Sequence, residues 1–121
     1  LRGRADFLVV EGAGGFRVPL SEAHDGGDLA VRLGLPLILV VGLRLGCLNH
    51  ALLTAESVRA AGLRLAGWIA NAIDPGMAAP GENVAALAER LSAPLLGRFP
   101  HSPRAEAGAL ARLVDVAPLV N

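Results

Sequence analysis

The sequence predicts an α/β protein in which a parallel sheet forms the middle of three layers, with helices on both faces. Three observations carry that expectation. Short apolar runs over residues 7–10, 37–41, 65–70 and 94–97 are continuous rather than alternating, as strands buried on both faces read. Segments of helical periodicity separate the later runs, and strand alternating with helix gives right-handed crossovers and a parallel sheet. Glycine or proline closes each segment, so the chain turns where a strand stops. With 121 residues, 53% of them hydrophobic, a single domain spanning residues 1–121 is expected.

Taken in order, a lead-in over residues 1–5 runs abruptly into a first strand over 6–10. That strand ends at Glu11, and Gly12, Gly14 and Gly15 let the backbone turn sharply. Val18 is held extended by Pro19, and residues 21–25 form a polar loop. Asp25 or Asp28 caps a short helix over 29–33, which Gly34 closes and Pro36 prevents from continuing. A second strand over 36–42 follows. A helix of about a dozen residues then reaches Ala61, with Leu48, Leu52, Ala55 and Val58 on its sheet face and Gly62 beyond its end. The third strand, 65–73, carries the only tryptophan, Trp68. A helix over 82–91 turns Val84, Leu87, Ala88 and Leu91 inward, a fourth strand spans 94–99, and a last helix over about 104–113 precedes an apolar tail.

Composition excludes several function classes. Eleven basic and eleven acidic residues cancel, which gives no electrostatic reason to expect nucleic acid or a membrane surface as partner. No apolar run approaches a membrane span and the N-terminal residues lack a signal-peptide profile, so a cytoplasmic protein is expected. Cys47 is the single cysteine, and it has no companions at metal-ligand spacing.

Three corners can carry chemistry, because ligands of open α/β sheets gather at the carboxyl ends of the strands. Glu11 sits at one such end, where it can reach a metal or substrate; equally, the glycines after it can be only a tight turn. At the second corner Gly46, Cys47, Leu48 and Asn49 open a helix whose free N–H groups form an anion site, and Arg44 adds positive charge beside it. A solvated Arg44 and a helix-starting Asn49 are the plainer alternatives, and His50 reads as a surface or packing residue. At the third, Asn71 offers an amide suited to the edge of a purine base or to an Asx turn.

Together these corners resemble dethiobiotin synthetase. The runs VEGAGG at 10–15 with PLS at 19–21, VVGLRLGCLNH at 40–50, GWIAN at 67–71 and PLLG at 94–97 with Pro100 occur in that family's order and spacing. The block GCLNH in front of a helix is the most specific of them. The resemblance implies a P-loop NTPase-like fold and a cytoplasmic homodimer that uses ATP, Mg2+ and carbon dioxide to close the ureido ring of 7,8-diaminopelargonate. It implies that Glu11 ligates magnesium, that Gly12 lies against the nucleotide phosphates, and that Gly14 and Gly15 lie against the substrate carbamate. Arg44 would act in catalysis. Gly46, Cys47, Leu48 and Asn49 would receive the diamine's carboxylate tail across the dimer interface, with Cys47 a packing residue rather than a nucleophile. Asn71 would bind adenine, and Pro100, His101 and Ser102 would cover it.

One departure qualifies the resemblance. The family begins with a strand and a lysine-bearing P-loop, whereas no G-x-x-x-x-G-K-[ST] occurs here and all eleven basic residues are arginine. The chain therefore resembles the C-terminal half, expected to be inactive alone for want of the phosphate cradle. Two other readings stand beside it: a non-catalytic α/β module binding a nucleotide or anion or serving dimerisation, and a related ATP-dependent amidoligase of the cobyrinic acid synthase type.

Overall fold

A computed structural model describes residues 3–4 and 6–119. The lead-in expected over residues 1–5 lies mostly outside the described residues, as does the end of the apolar tail, 120–121. In chain order the elements are α1 (Gly26–Leu33), β1 (Leu37–Leu43), α2 (Cys47–Ala60), β2 (Leu65–Ala72), α3 (Pro80–Arg90), β3 (Leu95–Phe99), α4 (Ala107–Ala111) and a 3₁₀ turn (Ala117–Leu119). The three strands form one parallel sheet in the order β1-β2-β3, as the alternation of strand and helix predicts.

Helix α1 begins earlier than expected, and its cap explains why. The Asp25 carboxylate accepts the Asp28 N–H at 3.0 Å while the Asp28 carboxylate accepts the Asp25 N–H at 2.9 Å. The two candidate caps are thus the two halves of one capping box, with Asp25 as N-cap. Gly34 closes the helix in the left-handed conformation, as expected. The first turn holds Gly26 and Gly27 because Phe16 lies against it: a Cβ on Gly26 would come within 2.9 Å of the Phe16 carbonyl oxygen. Asp25→Ala is expected to cost about 1 kcal/mol, read as a lower urea midpoint, and Asp25→Asn to recover most of it.

The core lies between the sheet and the pair α2 and α3. Val41 and Leu43 of β1, Trp68 and Ala70 of β2, Cys47 and Ala51 of α2, and Val84, Leu87 and Leu91 at α3 are all buried together. Leu48, Leu52 and Ala55 pack against this cluster, so the predicted inner face of α2 holds. The α3 face holds except at Ala88, which is exposed. α3 starts two residues before the predicted 82 because Pro80 occupies its first turn, where the missing N–H costs nothing.

The last helix is about half as long as the predicted 104–113. Only Ala107–Ala111 is helical, after which Val114 forms an antiparallel bridge with Gly97 and the Asp115 N–H donates to the Leu96 carbonyl at 2.7 Å. This segment lines the outer edge of β3, and the 3₁₀ turn beyond it touches β2. Gly97 is small where the segment crosses, since a Cβ there would meet the Leu113 carbonyl oxygen at 2.5 Å.

The strand expected over residues 6–10 does not form. Phe7, Leu8, Val9 and Val10 belong to no ladder and are exposed, Val9 at 78%. An apolar run becomes a strand only where a neighbouring strand takes up its N–H and C=O groups, and no described residue does so here. The side of β1 away from β2 is unpaired for the same reason, and Ile38 and Val40 are exposed alternately with the inward Leu39 and Val41.

Candidate functional site

Parallel register brings three predicted positions to one edge of the sheet. Gly42, Asn71 and Phe99 are paired across β1, β2 and β3, so Arg44 just beyond β1, Asn71 near the end of β2, and Pro100, His101 and Ser102 after β3 share the carboxyl edge. Arg44, Pro100, His101 and Ser102 are exposed there, and Asn71 is half-buried.

The turn from β1 into α2 is built by a single backbone contact. The Cys47 N–H donates to the Arg44 carbonyl at 3.0 Å, and Gly46 between them sits at φ 90°, ψ −4°, as the third position of a type II turn requires. Leu45 at the tip is 96% exposed. Helix α2 has no side-chain cap, so its first turn keeps donors open. The Cys47 N–H is engaged, which leaves the Leu48 and Asn49 N–H groups as the free donors of that turn among the described residues. Gly46→Ala is expected to strain this turn by about 1–3 kcal/mol, checked by thermal unfolding, while Gly62→Ala, at the other end of α2, shows the cost of a positive φ away from the site.

Cys47 itself is buried, with its thiol 3.9 Å from the Asn83 Oδ1 of α3. The Asn83 amide in turn donates to the carbonyl of Ala79, itself a non-glycine residue at φ 52°, at 2.9 Å. Asn83 thus ties the start of α3 to the first turn of α2. Nothing in the sequence marks it, since the contact spans 36 positions. His50 is exposed, and its carbonyl accepts the Thr54 hydroxyl at 2.8 Å, consistent with a surface residue.

Glu11, Gly12, Gly14 and Gly15 are exposed in an irregular loop, with Gly14 at φ 87° and Gly15 at φ 113°. The contacts that position this loop run to the α1 cap rather than to the strand edge. The Val18 N–H donates to the Gly15 carbonyl at 3.3 Å, the Gly26 N–H to the Val18 carbonyl at 2.9 Å, and Pro19 bridges Asp25. Arg17 pairs with Asp25 at 2.7 Å. A shallow depression of about 370 Å³ at this cap is lined mostly by groups already engaged with one another. Its His24 Nε2 accepts from Arg32 at 3.3 Å, and the Ser21 hydroxyl oxygen accepts the Ala23 and His24 N–H groups.

Glu11 makes no ion pair among the described residues, and no group of three or more His, Cys, Asp or Glu there could cage a metal. A lone free carboxylate fits magnesium, which keeps water and phosphate oxygens in most of its coordination positions. It does not fit zinc or a structural calcium, which need more protein ligands. Among the described residues no helix is long and apolar enough to cross a membrane.

A parallel sheet with a glycine turn and an open helix N-terminus at its carboxyl edge is the arrangement of an α/β domain that takes anionic ligands at its strand ends, and the family match below places it in the P-loop NTPase class. Residues 1–108 match the AAA domain family, and the chain belongs to that family. It is similar to proteins named ATP-dependent dethiobiotin synthetase BioD: 60% identical to that of Ralstonia nicotianae over 98% of this chain and 52% of the relative. The corresponding protein of Aromatoleum aromaticum is 59% identical over 92% of this chain and 49% of its own length. That of Janthinobacterium sp. (strain Marseille) is 57% identical over 100% of this chain and 51% of its own. The chain thus spans about half the length of the curated relatives it matches.

Proposed function

We propose that this chain supplies the substrate-contacting half of an ATP-dependent dethiobiotin synthase, inactive until a P-loop half completes it. The observation that carries the reading is the α2 turn. Its open Leu48 and Asn49 N–H groups and the neighbouring Arg44 suit a carboxylate, and the similarity to the named synthetases runs through it. The ligand of that turn is the carboxylate tail of 7,8-diaminopelargonate, with Leu45 at the exposed tip facing a second subunit of a homodimer. Gly46 allows the close approach and Cys47 holds the turn to α3.

At the other end of the site Gly14 and Gly15 lie against the reacting amine, and Gly12 against the phosphates of ATP. Asn71 hydrogen-bonds adenine, and Pro100, His101 and Ser102 close over it. Glu11 would hold Mg2+, which when bound would supply positive charge against the phosphates. Carbon dioxide adds to one amine to give a carbamate with loss of a proton. The carbamate oxygen attacks the γ-phosphorus and ADP leaves; the second amine then attacks the carbamoyl carbon and phosphate leaves, closing the ring. The protein's part is to hold these groups in line and to place positive charge, including Arg44, near them. Such an enzyme works in the cytoplasm.

The test combines this chain with the part of the Ralstonia relative that it does not match. Phosphate release is expected to need both chains, ATP, the diamine and bicarbonate together. Release without the diamine would instead favour a related amidoligase, and nucleotide binding without any release would favour a non-catalytic module.

A further inference from the structure

We infer that Asn83 is a positioning residue for the α2 turn: acting through the Cys47 thiol, it fixes the direction in which the open Leu48 and Asn49 N–H groups point and so sets how tightly that turn takes a carboxylate. The diamine carboxylate as the ligand comes from the proposed function; the hold of Asn83 on the turn does not depend on it. Asparagine is a poor helix former, yet it stands near the start of α3 with its side chain fixed at both ends. Only Nδ2 can donate to the Ala79 carbonyl, at 2.9 Å, so Oδ1 is the end turned to α2, and the Cys47 thiol 3.9 Å away is the donor to it. The Ala79 carbonyl also accepts the Asn83 backbone N–H at 3.2 Å. Ala79 itself holds a left-handed conformation that alanine keeps only where its surroundings impose it.

Cys47 is the residue through which such a hold reaches the donors. Its N–H is engaged by the Arg44 carbonyl and its side chain is 3% exposed, so the residue is gripped on both sides. The Leu48 N–H belongs to the peptide unit that Cys47 begins, and the Asn49 N–H to the next one. The direction of both therefore follows the orientation of Cys47. Gly46, on the other side, restrains little, and α2 has no side-chain cap to keep its first turn from fraying. Among the described residues, the Asn83 contact is the one hydrogen bond that reaches this turn from another helix or strand. A thiol hydrogen bond is weak, but a carboxylate accepting from two N–H groups needs both aligned, and a small rotation of the turn spoils both bonds at once.

In this chain, Asn83→Ala is expected to speed amide exchange of the Cys47 and His50 N–H groups, which donate to the Arg44 and Gly46 carbonyls, by about tenfold, while the Gly34 N–H at the end of α1 keeps its rate. In the two-half enzyme the same variant is expected to raise the KM for the diamine by about tenfold, with kcat and the KM for ATP within about twofold of the parent. In a Cys47→Ala background, which already lacks the thiol, it should raise that KM no further. Cys47→Ala leaves both bonds onto Ala79 in place, so it carries the test if Asn83→Ala fails to fold, with the same rise in KM and the same faster exchange at His50. An effect of Asn83→Ala that is equal with and without the thiol overturns the inference, as does a loss of kcat at constant KM or exchange that quickens at Gly34 as much as at Cys47. If the two-half enzyme releases no phosphate with the diamine, the proposed function falls and the exchange rates decide alone: unchanged rates at Cys47 and His50 overturn the role of Asn83.

Discussion

Glu11→Ala, introduced into the chain within a complete two-half enzyme, is expected to lower turnover by about a thousandfold while leaving the unfolding transition where it was. Both parts follow from one observation. Glu11 is exposed and makes no ion pair among the described residues, so the fold loses nothing when its carboxylate is removed. The proposed function gives this carboxylate its use in holding magnesium, a cation that one protein carboxylate suffices to anchor. Initial-rate phosphate release at rising magnesium concentration is the measurement. Glu11→Asp should recover part of the rate at high magnesium, and an Ala variant with unchanged kcat would remove Glu11 from the site.

Trp68→Ala is the second large effect, and it falls on the fold. Trp68 is completely buried at the centre of β2, against α2, α3 and both neighbouring strands. Removing an indole from such a position costs about 3–5 kcal/mol. Against the roughly 5–15 kcal/mol by which ordinary domains are stable, that leaves little, so the Ala variant should lose its cooperative urea transition. Trp68→Phe makes a sharper comparison. The Trp68 indole nitrogen is buried with no hydrogen-bond partner, so replacing it with an apolar ring removes an unmet donor while leaving a smaller gap. The Phe variant is expected to stay within about 1.5 kcal/mol of the parent by urea unfolding.

What could be read from the sequence divides by the range of the forces involved. Leu37–Leu43, Leu65–Ala72 and Leu95–Phe99 were legible because each is an apolar run whose neighbours lie in the same chain, and their parallel order followed from the helices between them. Gly34 and Asp25 were legible because caps are local chemistry. The run at residues 7–10 has the same composition as the true strands, yet a ladder is a property of two strands, and one alone shows nothing of its partner's absence. The last helix stops at Ala111 because the residues after it gain a bridge to Gly97, a tertiary contact that outweighs weak local propensity; nothing comparable explains its late start at Ala107. At the candidate site the parallel register that collects Arg44, Asn71 and Ser102 was implicit in the fold class. Asn83 was not, for it acts through a buried thiol on another helix. The roles assigned to individual residues rest on family resemblance, which neither composition nor periodicity could supply.

The bridge from Val114 to Gly97 closes one edge of the sheet among the described residues. A sheet with one open edge can take one neighbour and then stops; a sheet with two can take one on each side, and each addition exposes the edge that receives the next. Shortening the chain before Val114 would bare the outer edge of β3 and leave its backbone groups there unpaired.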